Sequence, residues 1–304
     1  MYSFEQLKVF VTVCESGSFS AAARKLKRAQ SGVSQAISNL EIAINQDLFN
    51  RDKNTPTLTT SGQALLPIAR SILNQQTYFD QKAESLTKAY EHEVVIAVDE
   101  SLISDDFFNI LTPLADQFPI THFEVITAST FDVESLVRSG KAQIGIVYSD
   151  GELKVDMDFF VVGHAKFLTI ASPQHELAML PIVQDSDLKR HRQCVHRSIQ
   201  QKELWFSYGI SSTFWYANTH QTLIDLVQQG IGWAVVPELL IKNQLQTKTL
   251  VSLPVAHEFN GWLTAVGCLV SRSHSSGPVL ESVVERLKQH RFNEERWMPE
   301  NRKP

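Results

Sequence analysis

The sequence predicts a mixed α/β protein built in series: a small helical head ending in a two-stranded hairpin, one long helix, and a larger body of alternating strands and helices. Three observations predict it. Apolar residues recur at helical spacing through the first 44 residues. A run from Thr60 to about residue 89 repeats apolar residues every seventh position. From residue 93 onward, short β-branched runs alternate with helical patterns.

In the head, Phe4 to Glu15 reads as a first helix with Leu7, Phe10, Val11 and Cys14 on one side, broken by Gly17. Ser18 is placed to cap a second helix through FSAAARKLK, whose small alanines allow close packing. Arg28-Ala29 then leads into AQSGVSQAISNLE, residues 29 to 41. There Val33, Ile37, Leu40 and Ile44 define one apolar face, although a glycine and three serines are poor helix formers. Two short helices joined by a brief turn match a helix-turn-helix.

Gln30, Ser31, Ser34, Gln35 and Ser38 project from the opposite face. Glutamine can pair with adenine edges in the major groove, serine can bond base edges or phosphates, and small residues let a helix come close to DNA. A solvated helix face would have the same composition. The segment LFNRDKNTPTLT that follows reads as two short strands around a turn, and Arg51 and Lys53 on it are placed to grip phosphates as a wing. The charge balance agrees: residues 1 to 62 carry +2 and the remainder −7 of the net −5.

Thr60-Ser61-Gly62-Gln63 has the spacing of a capping box opening the long helix. Leu65, Ile72, Phe79 and Leu86 lie seven apart, with Ala69 and Ala83 four after two of them. This seam calls for a partner helix, and a helix-turn-helix commonly reads two half-sites as a symmetric pair. Pro67 should bend the helix or remove a bond.

In the body, VVIAV (94 to 98), FEVITA (123 to 128) and QIGIVY (143 to 148) read as buried strands with helices near 103 to 117 and 131 to 139, forming a largely parallel sheet. FLTIAS (167 to 172), QCVH (193 to 196), a strand near 213 to 217, a helix near 220 to 229 and GWAVVP (232 to 237) form a second series. Two such halves leave a cleft suited to a small molecule.

The stretches SFSAAARKL, AQSGVSQAISNLE and LFNRDKNTPTLTTSGQALL, in that order, resemble the winged helix-turn-helix of LysR-type transcriptional regulators. VRSGKAQIGIV, ASPQHELA and LIDLVQQGIGWAVVPELLI extend the resemblance through the body. It implies a DNA-binding domain over 1–59, a linker and dimerisation helix over 60–89, and an effector-binding regulatory domain over 90–304. The last would resemble periplasmic binding proteins, with one subdomain at about 93–164 and 265–290 and the other at about 165–264. It implies double-stranded promoter DNA, RNA polymerase and a second copy of the chain as partners, in a homodimer or homotetramer. Matched motif by motif, the effector pocket would be lined by Ser101, Ser129 and Thr130 on one side and His196, Arg197, Ser198, Asn218 and Thr219 on the other. Arg197 would receive a carboxylate effector, while Asp99 and Glu100 cut against it, because two acids near that rim would repel an anion or select for an amine. The sequence departs from the family at three places on the reading helix: Ala29 replaces a usual capping hydroxyl, Ser31-Gly32 replace a proline and a small apolar residue, and Gln35 replaces a common arginine.

Other chemistries find less support. Cys194 and His196 share a strand face, with His191 nearby, but no fourth ligand completes a metal site. Cys194 as a redox sensor is an alternative to a buried inert thiol, and Cys14 and Cys268 read as inert. No phosphate-binding loop, nucleophile elbow or dinucleotide fingerprint is present, so neither an enzyme nor a cofactor is expected. The absence of a secretory signal, of a membrane-length apolar run and of a disulfide framework points to the cytoplasm, and argues against the other alternative, a solute-binding protein with a non-specific DNA-associating head.

Overall fold

The computed structural model describes residues 1–50, 56–152, 154–272 and 276–290. The chain divides into two compact units, Met1–Lys88 and Ala89–Pro304.

The first unit opens with α1 (Phe4–Ser16), whose start is fixed by a capping box: Gln6 donates its amide to Ser3 Oγ at 3.3 Å and Ser3 donates its own to Gln6 Oε1 at 2.7 Å. Ser18 caps α2 (Phe19–Lys25) as expected, accepting from the Ala21 amide at 3.1 Å. The segment with the small polar face is α3 (Gln30–Ile44); it begins at Ala29 with no side-chain cap. Its periodic face is the one it buries: Val33, Ile37 and Leu40 join Phe10, Ala22, Ala23 and Leu48 in one core. The hairpin strands β1 (Phe49–Asn50) and β2 (Thr57–Leu58) pair antiparallel, Phe49 opposite Leu58. Arg51 and Lys53, the expected phosphate contacts of the wing, lie outside the described residues.

The long helix, α4 (Thr60–Thr87), starts one residue away from the expected cap. Thr59 and not Thr60 accepts the Gly62 amide, at 2.9 Å, because the Thr59 hydroxyl is itself held by Asp47 O. Gly62 is required by close approach: a Cβ there would lie 2.2 Å from Leu48 O. The seven-residue seam divides into two parts. Leu65, Ala69 and Ile72 pack into the core of their own unit. Phe79 and Leu86 are 71% and 73% exposed, and Ala83 is exposed beside them. Among the described residues no helix is long and apolar enough to cross a membrane.

The second unit begins with β3 (Glu93–Asp99), α5 (Asp105–Gln117), β4 (His122–Ala128), α6 (Thr130–Arg138) and β5 (Ile144–Tyr148). Next come β6 (Met157–Ala171), α7 (Asp185–Arg190), β7 (Gln193–His196), β8 (Phe214–Ala217), α8 (His220–Gln228) and β9 (Trp233–Pro237). The chain closes with α9 (Lys242–Gln246), β10 (Val251–Ser252), β11 (Trp262–Ser271) and α10 (Pro278–Gln289). The sheet runs β4-β3-β5-β11-β6-β9-β7-β8, with β10 also on β6. β3 pairs parallel with β4 and β5, and β7 pairs parallel with β8 and β9.

The structure corrects two expectations here. FEVITA is an edge strand with half of its residues exposed, not a buried one, because no strand among the described residues covers its far side. The middle of the sheet is antiparallel: FLTIA is the tail of the 15-residue β6, which pairs with β11 from Met157 to Phe167 and with β9 from Phe167 to Ala171. The first half of β6 does carry an apolar run, Phe159 to Val162, which lies outside the expected strands, and its burial follows no simple alternation, with Phe159 and Val161 exposed. The expected subdomain boundaries at 164/165 and 264/265 therefore fall inside two continuous strands.

One buried carboxylate positions the hairpin against α3. Glu41 is 6% exposed, and its Oε1 accepts the amides of Leu48 at 2.7 Å and Phe49 at 3.2 Å. Glu41→Ala strands two buried donors and should lower the stability of the head by about 2–3 kcal/mol, whereas Glu41→Gln keeps an acceptor and should cost about 1 kcal/mol. Urea unfolding followed by far-UV circular dichroism measures both, since all five tryptophans lie beyond residue 200 and report only on the body. An unchanged midpoint in Glu41→Ala would show that the turn is held by other means.

Candidate functional site

The outer face of α3 carries the side chains that the sequence placed there. Gln30, Ser31 and Gln35 are exposed, and Ser34 and Ser38 are half-buried. Gln35 donates to Asn39 Oδ1 at 2.8 Å, which holds its amide flat along the helix. A Cβ at Gly32 would meet nothing within 4 Å, so nothing in the fold calls for glycine at that exposed position. Its cost of about 1 kcal/mol relative to alanine therefore calls for a reason outside the chain. Nearby, Lys25 and Arg28 form surface pairs with Glu15 and Glu5.

In the second unit the C-terminal end of β3 and the start of α6 meet β7 and α8 across the expected cleft. Asp99 is wholly buried; its Oδ1 accepts from the Ser101 amide at 3.1 Å and the Ser101 hydroxyl at 2.6 Å, and its Oδ2 accepts from the Thr130 hydroxyl at 2.7 Å. Ser101 Oγ also lies 2.8 Å from the Tyr148 hydroxyl, and Thr130 Oγ1 accepts the Tyr148 amide at 3.2 Å. Burial, with the charges of Asp99 and Glu100, pushes the Tyr148 phenol well above its ordinary value, so it stays protonated.

Two bridges cross the cleft. Glu100 Oε1 accepts from the His220 amide at 2.8 Å and lies 2.9 Å from His220 Nδ1. Asp132 accepts from the Ser129 hydroxyl on its own side and from the Ile199 amide, at 3.0 Å, on the other. Burial opposes the charge on Glu100, but the histidines His196 and His220 outweigh it and hold the carboxyl well below the usual carboxylate range. Burial and the neighbouring His196 keep His220 below its ordinary value against the pull of Glu100. His220 is therefore neutral near pH 7 and donates from Nδ1.

The expected ligand-lining residues are thus drawn together largely by one another. Ser101 and Thr130 are joined through Asp99; Ser129 serves Asp132; Ser198 Oγ accepts the Lys202 amide at 2.9 Å. Thr219 caps α8 through the Thr222 amide, and Asn218 is exposed. Arg197 pairs with Glu203 and lies 3.3 Å above the Tyr216 ring, so its charge is met within the chain and is not offered to a ligand. Sequence reasoning missed Tyr148, Asp132 and His220, which organise these groups. Asp99 and Glu100 it weighed only as charges that would repel an anion or select for an amine, because a hydroxyl-rich strand end gives no sign of which acid it serves.

A cavity of about 410 Å³ adjoins this network, lined among others by Leu102, Tyr148, Lys166, Glu238, Lys242 and Leu263. None of the eight expected residues lines it, although Tyr148 reaches Ser101.

Glu100, His196 and His220 bring ligand atoms within 4.8 Å of one another, the one such trio among the described residues. The imidazole rings lie stacked, 4.1 Å apart and within 6° of parallel, so their lone pairs run side by side and do not converge on one ion. His220 Nδ1 is also committed to Glu100. The cluster suits a hydrogen-bonded bridge better than a metal. Cys194 is buried, and burial outweighs Arg192 to push its thiol up to about 11, which removes the thiolate a redox sensor needs.

Comparison with known proteins agrees with this architecture. Residues 4–63 match the family model described as bacterial regulatory helix-turn-helix protein, lysR family, and residues 88–291 match the LysR substrate binding domain. The transcriptional regulator AceR of Acinetobacter baumannii is 29% identical over 79% of this chain and 80% of its own. The multiple virulence factor regulator MvfR of Pseudomonas aeruginosa is 27% identical over 98% of this chain and 92% of its own. The crystal structure of the full-length AphB N100E variant shares the fold, with a TM-score of 0.52 at 15% identity over 95% of this chain and 99% of that one. A helix-turn-helix with an exposed polar reading face, followed by a ligand-cleft body and matched by both family models, identifies the chain as a member of the LysR family of DNA-binding transcriptional regulators, which are not enzymes.

Proposed function

We propose that the chain reads double-stranded promoter DNA as a symmetric pair, with α3 in the major groove and a small-molecule effector acting on the closed cleft. The observation that carries the DNA reading is the exposed face of α3, where Gln30, Ser31, Ser34, Gln35 and Ser38 surround a glycine with no packing role. Side chains that short allow the helix backbone to approach base edges, and Gln35 supplies an amide suited to adenine. Arg51 and Lys53 follow in sequence as backbone contacts.

A second copy of this chain is the partner for the bare half of α4. Phe79 and Leu86 stand two turns apart on one side with Ala83 between them, the spacing of a seam between two helices. Pairing there sets two reading helices on two half-sites, and pairing of such dimers would give the tetramer.

The effector is a small molecule that enters the 410 Å³ cavity, where Lys166 and Glu238 lie 3.9 Å apart beside Lys242, and a carboxylate there would compete with Glu238 for Lys166. From there it presses on Tyr148, and through it on Ser101, Asp99 and Thr130. Regulation needs a ligand that binds one arrangement of the two halves better than the other. The bridges Glu100–His220 and Asp132–Ile199 are the contacts that such a ligand must reset, and the reset is passed on to RNA polymerase through altered promoter contacts.

Three outcomes test this reading. The double variant Ser34→Ala/Gln35→Ala should weaken binding to the DNA upstream of its own gene by about 10- to 100-fold while leaving competitor DNA binding unchanged. An equal loss on both would remove these residues from base reading. Phe79→Asp should convert the assembly to single chains in sedimentation equilibrium; an unchanged molar mass would place the partner elsewhere. Glu100→Gln replaces a charge-assisted bond with a neutral one, so the His220 amide should exchange with deuterium about tenfold faster. Unchanged exchange would mean that this bridge does not hold the cleft.

A further inference from the structure

We infer that the body carries a second small-molecule site, distinct from the cleft and built for a flat aromatic compound of one or two rings bearing a hydroxyl. It is a cavity of about 220 Å³ beside β6, β9 and the start of β11, and it shares no lining residue with the larger cavity. An apolar cavity of about 150 Å³ is enough to take up benzene, so this one has room for a fused pair of rings and little more.

Its walls are aromatic. Trp205, Phe206, Trp233 and Trp262 line it. Trp233 spends its indole N–H on Leu188 O at 3.1 Å, which leaves carbon surface for an occupant. Trp205 meets Trp262 edge to face at 5.4 Å and 80°, and one more ring beside them would extend the same arrangement. Trp205 is nevertheless 50% exposed, an unusual state for a tryptophan already gathered into a cluster, and a ligand would cover it. One polar handle stands at the edge: His257 Nδ1 and Asp185 Oδ1 lie 2.6 Å apart, both side chains part-exposed, and either can bond a ligand hydroxyl. Thr169 and Gln193 add polar atoms to the wall itself, where Gln193 already donates to Tyr208 O and accepts the Ile210 amide, so polar groups are set into an aromatic frame as in an orienting small-molecule site.

The site is also wired to the cleft. Trp205 packs on Phe206 at 5.4 Å, Phe206 on Phe167 at 4.6 Å, and Phe167 on Tyr148 at 4.8 Å. Tyr148 ends this ladder of rings at the Ser101 hydroxyl. Packed rings cannot shift singly, so an occupant at Trp205 bears on the cleft without entering it. The inference does not rest on the effector reading of the larger cavity.

The test is calorimetric titration of the full-length protein with 2-naphthol. Saturable binding of one molecule per chain is expected. Thr169→Phe should weaken it at least tenfold by filling the cavity from its half-buried wall, and Trp205→Ala should weaken it by removing a wall without adding bulk. Lys166→Ala, in the larger cavity, should leave it unchanged. Heat without saturation, or wild-type affinity in either Thr169→Phe or Trp205→Ala, overturns the site. Loss in Lys166→Ala alone would place the compound in the cleft and overturn it as well.

Discussion

Asp99 ends β3 with no access to water, and a buried carboxylate must find its donors within the chain. It takes two from Ser101, which turns the chain sharply at the strand end, and one from Thr130, which fixes the start of α6. Thr130 in turn accepts the Tyr148 amide, so the ends of β3 and β5 and the first turn of α6 are held at one point. Both cleft bridges grow from that point, since Glu100 follows Asp99 directly and Asp132 lies two residues beyond Thr130. The hydroxyls that would greet a ligand are the same ones that keep this carboxylate satisfied. A ligand therefore finds these hydroxyls already engaged and must exchange one set of bonds for another, while His196 Nε2, buried without a hydrogen-bond partner among the described residues and 3.6 Å from Glu100, stands unsatisfied beside them.

The head was more legible in sequence than the body. Helical period alone located the buried face of α3, because Val33, Ile37 and Leu40 have no other means of leaving water. The cap of α4 was displaced by one residue, since two adjacent threonines are equivalent in sequence and only the contact with Asp47 O chooses between them. The seven-residue seam of α4 was visible but not its division: nothing in the sequence shows that the core of the head takes in α4 as far as Ile72 and Leu73 and stops. In the body, β3 and β5 announced themselves as apolar runs, whereas only the tail of β6 was read, because Gly163, His164 and Lys166 interrupt its two apolar stretches and make one long strand look like two pieces. The cleft residues came from resemblance, and their mutual bonding was out of reach of any local pattern. Arg197 is the clearest case, since Glu203 and Tyr216 that claim it lie 6 and 19 positions away.

On α3 two demands oppose each other. Helix stability favours alanine, while close approach to a groove favours residues with little or nothing beyond Cβ. The chain has yielded on stability: it leaves the N-terminus at Ala29 without a side-chain cap and keeps Gly32 where space is open. What offsets the loss is tertiary. The buried face of α3 is anchored by the core, and Glu41 ties its last turn to the hairpin through two buried amides. A weak helix is thus held in shape from one side only, the side opposite the exposed polar face proposed to read DNA.

The central pair of strands has a consequence for how this body can diversify. The chain leaves the first half along β6 and comes back along β11, and Phe167 and Trp262 face each other across that ladder. Everything from 168 to 261 is therefore topologically an inserted cassette whose two ends sit one rung apart. Such a segment can be lengthened, shortened or exchanged for another without rerouting the chain on either flank. Recombination at this doorway would give a new chemical taste to an unaltered reader of DNA.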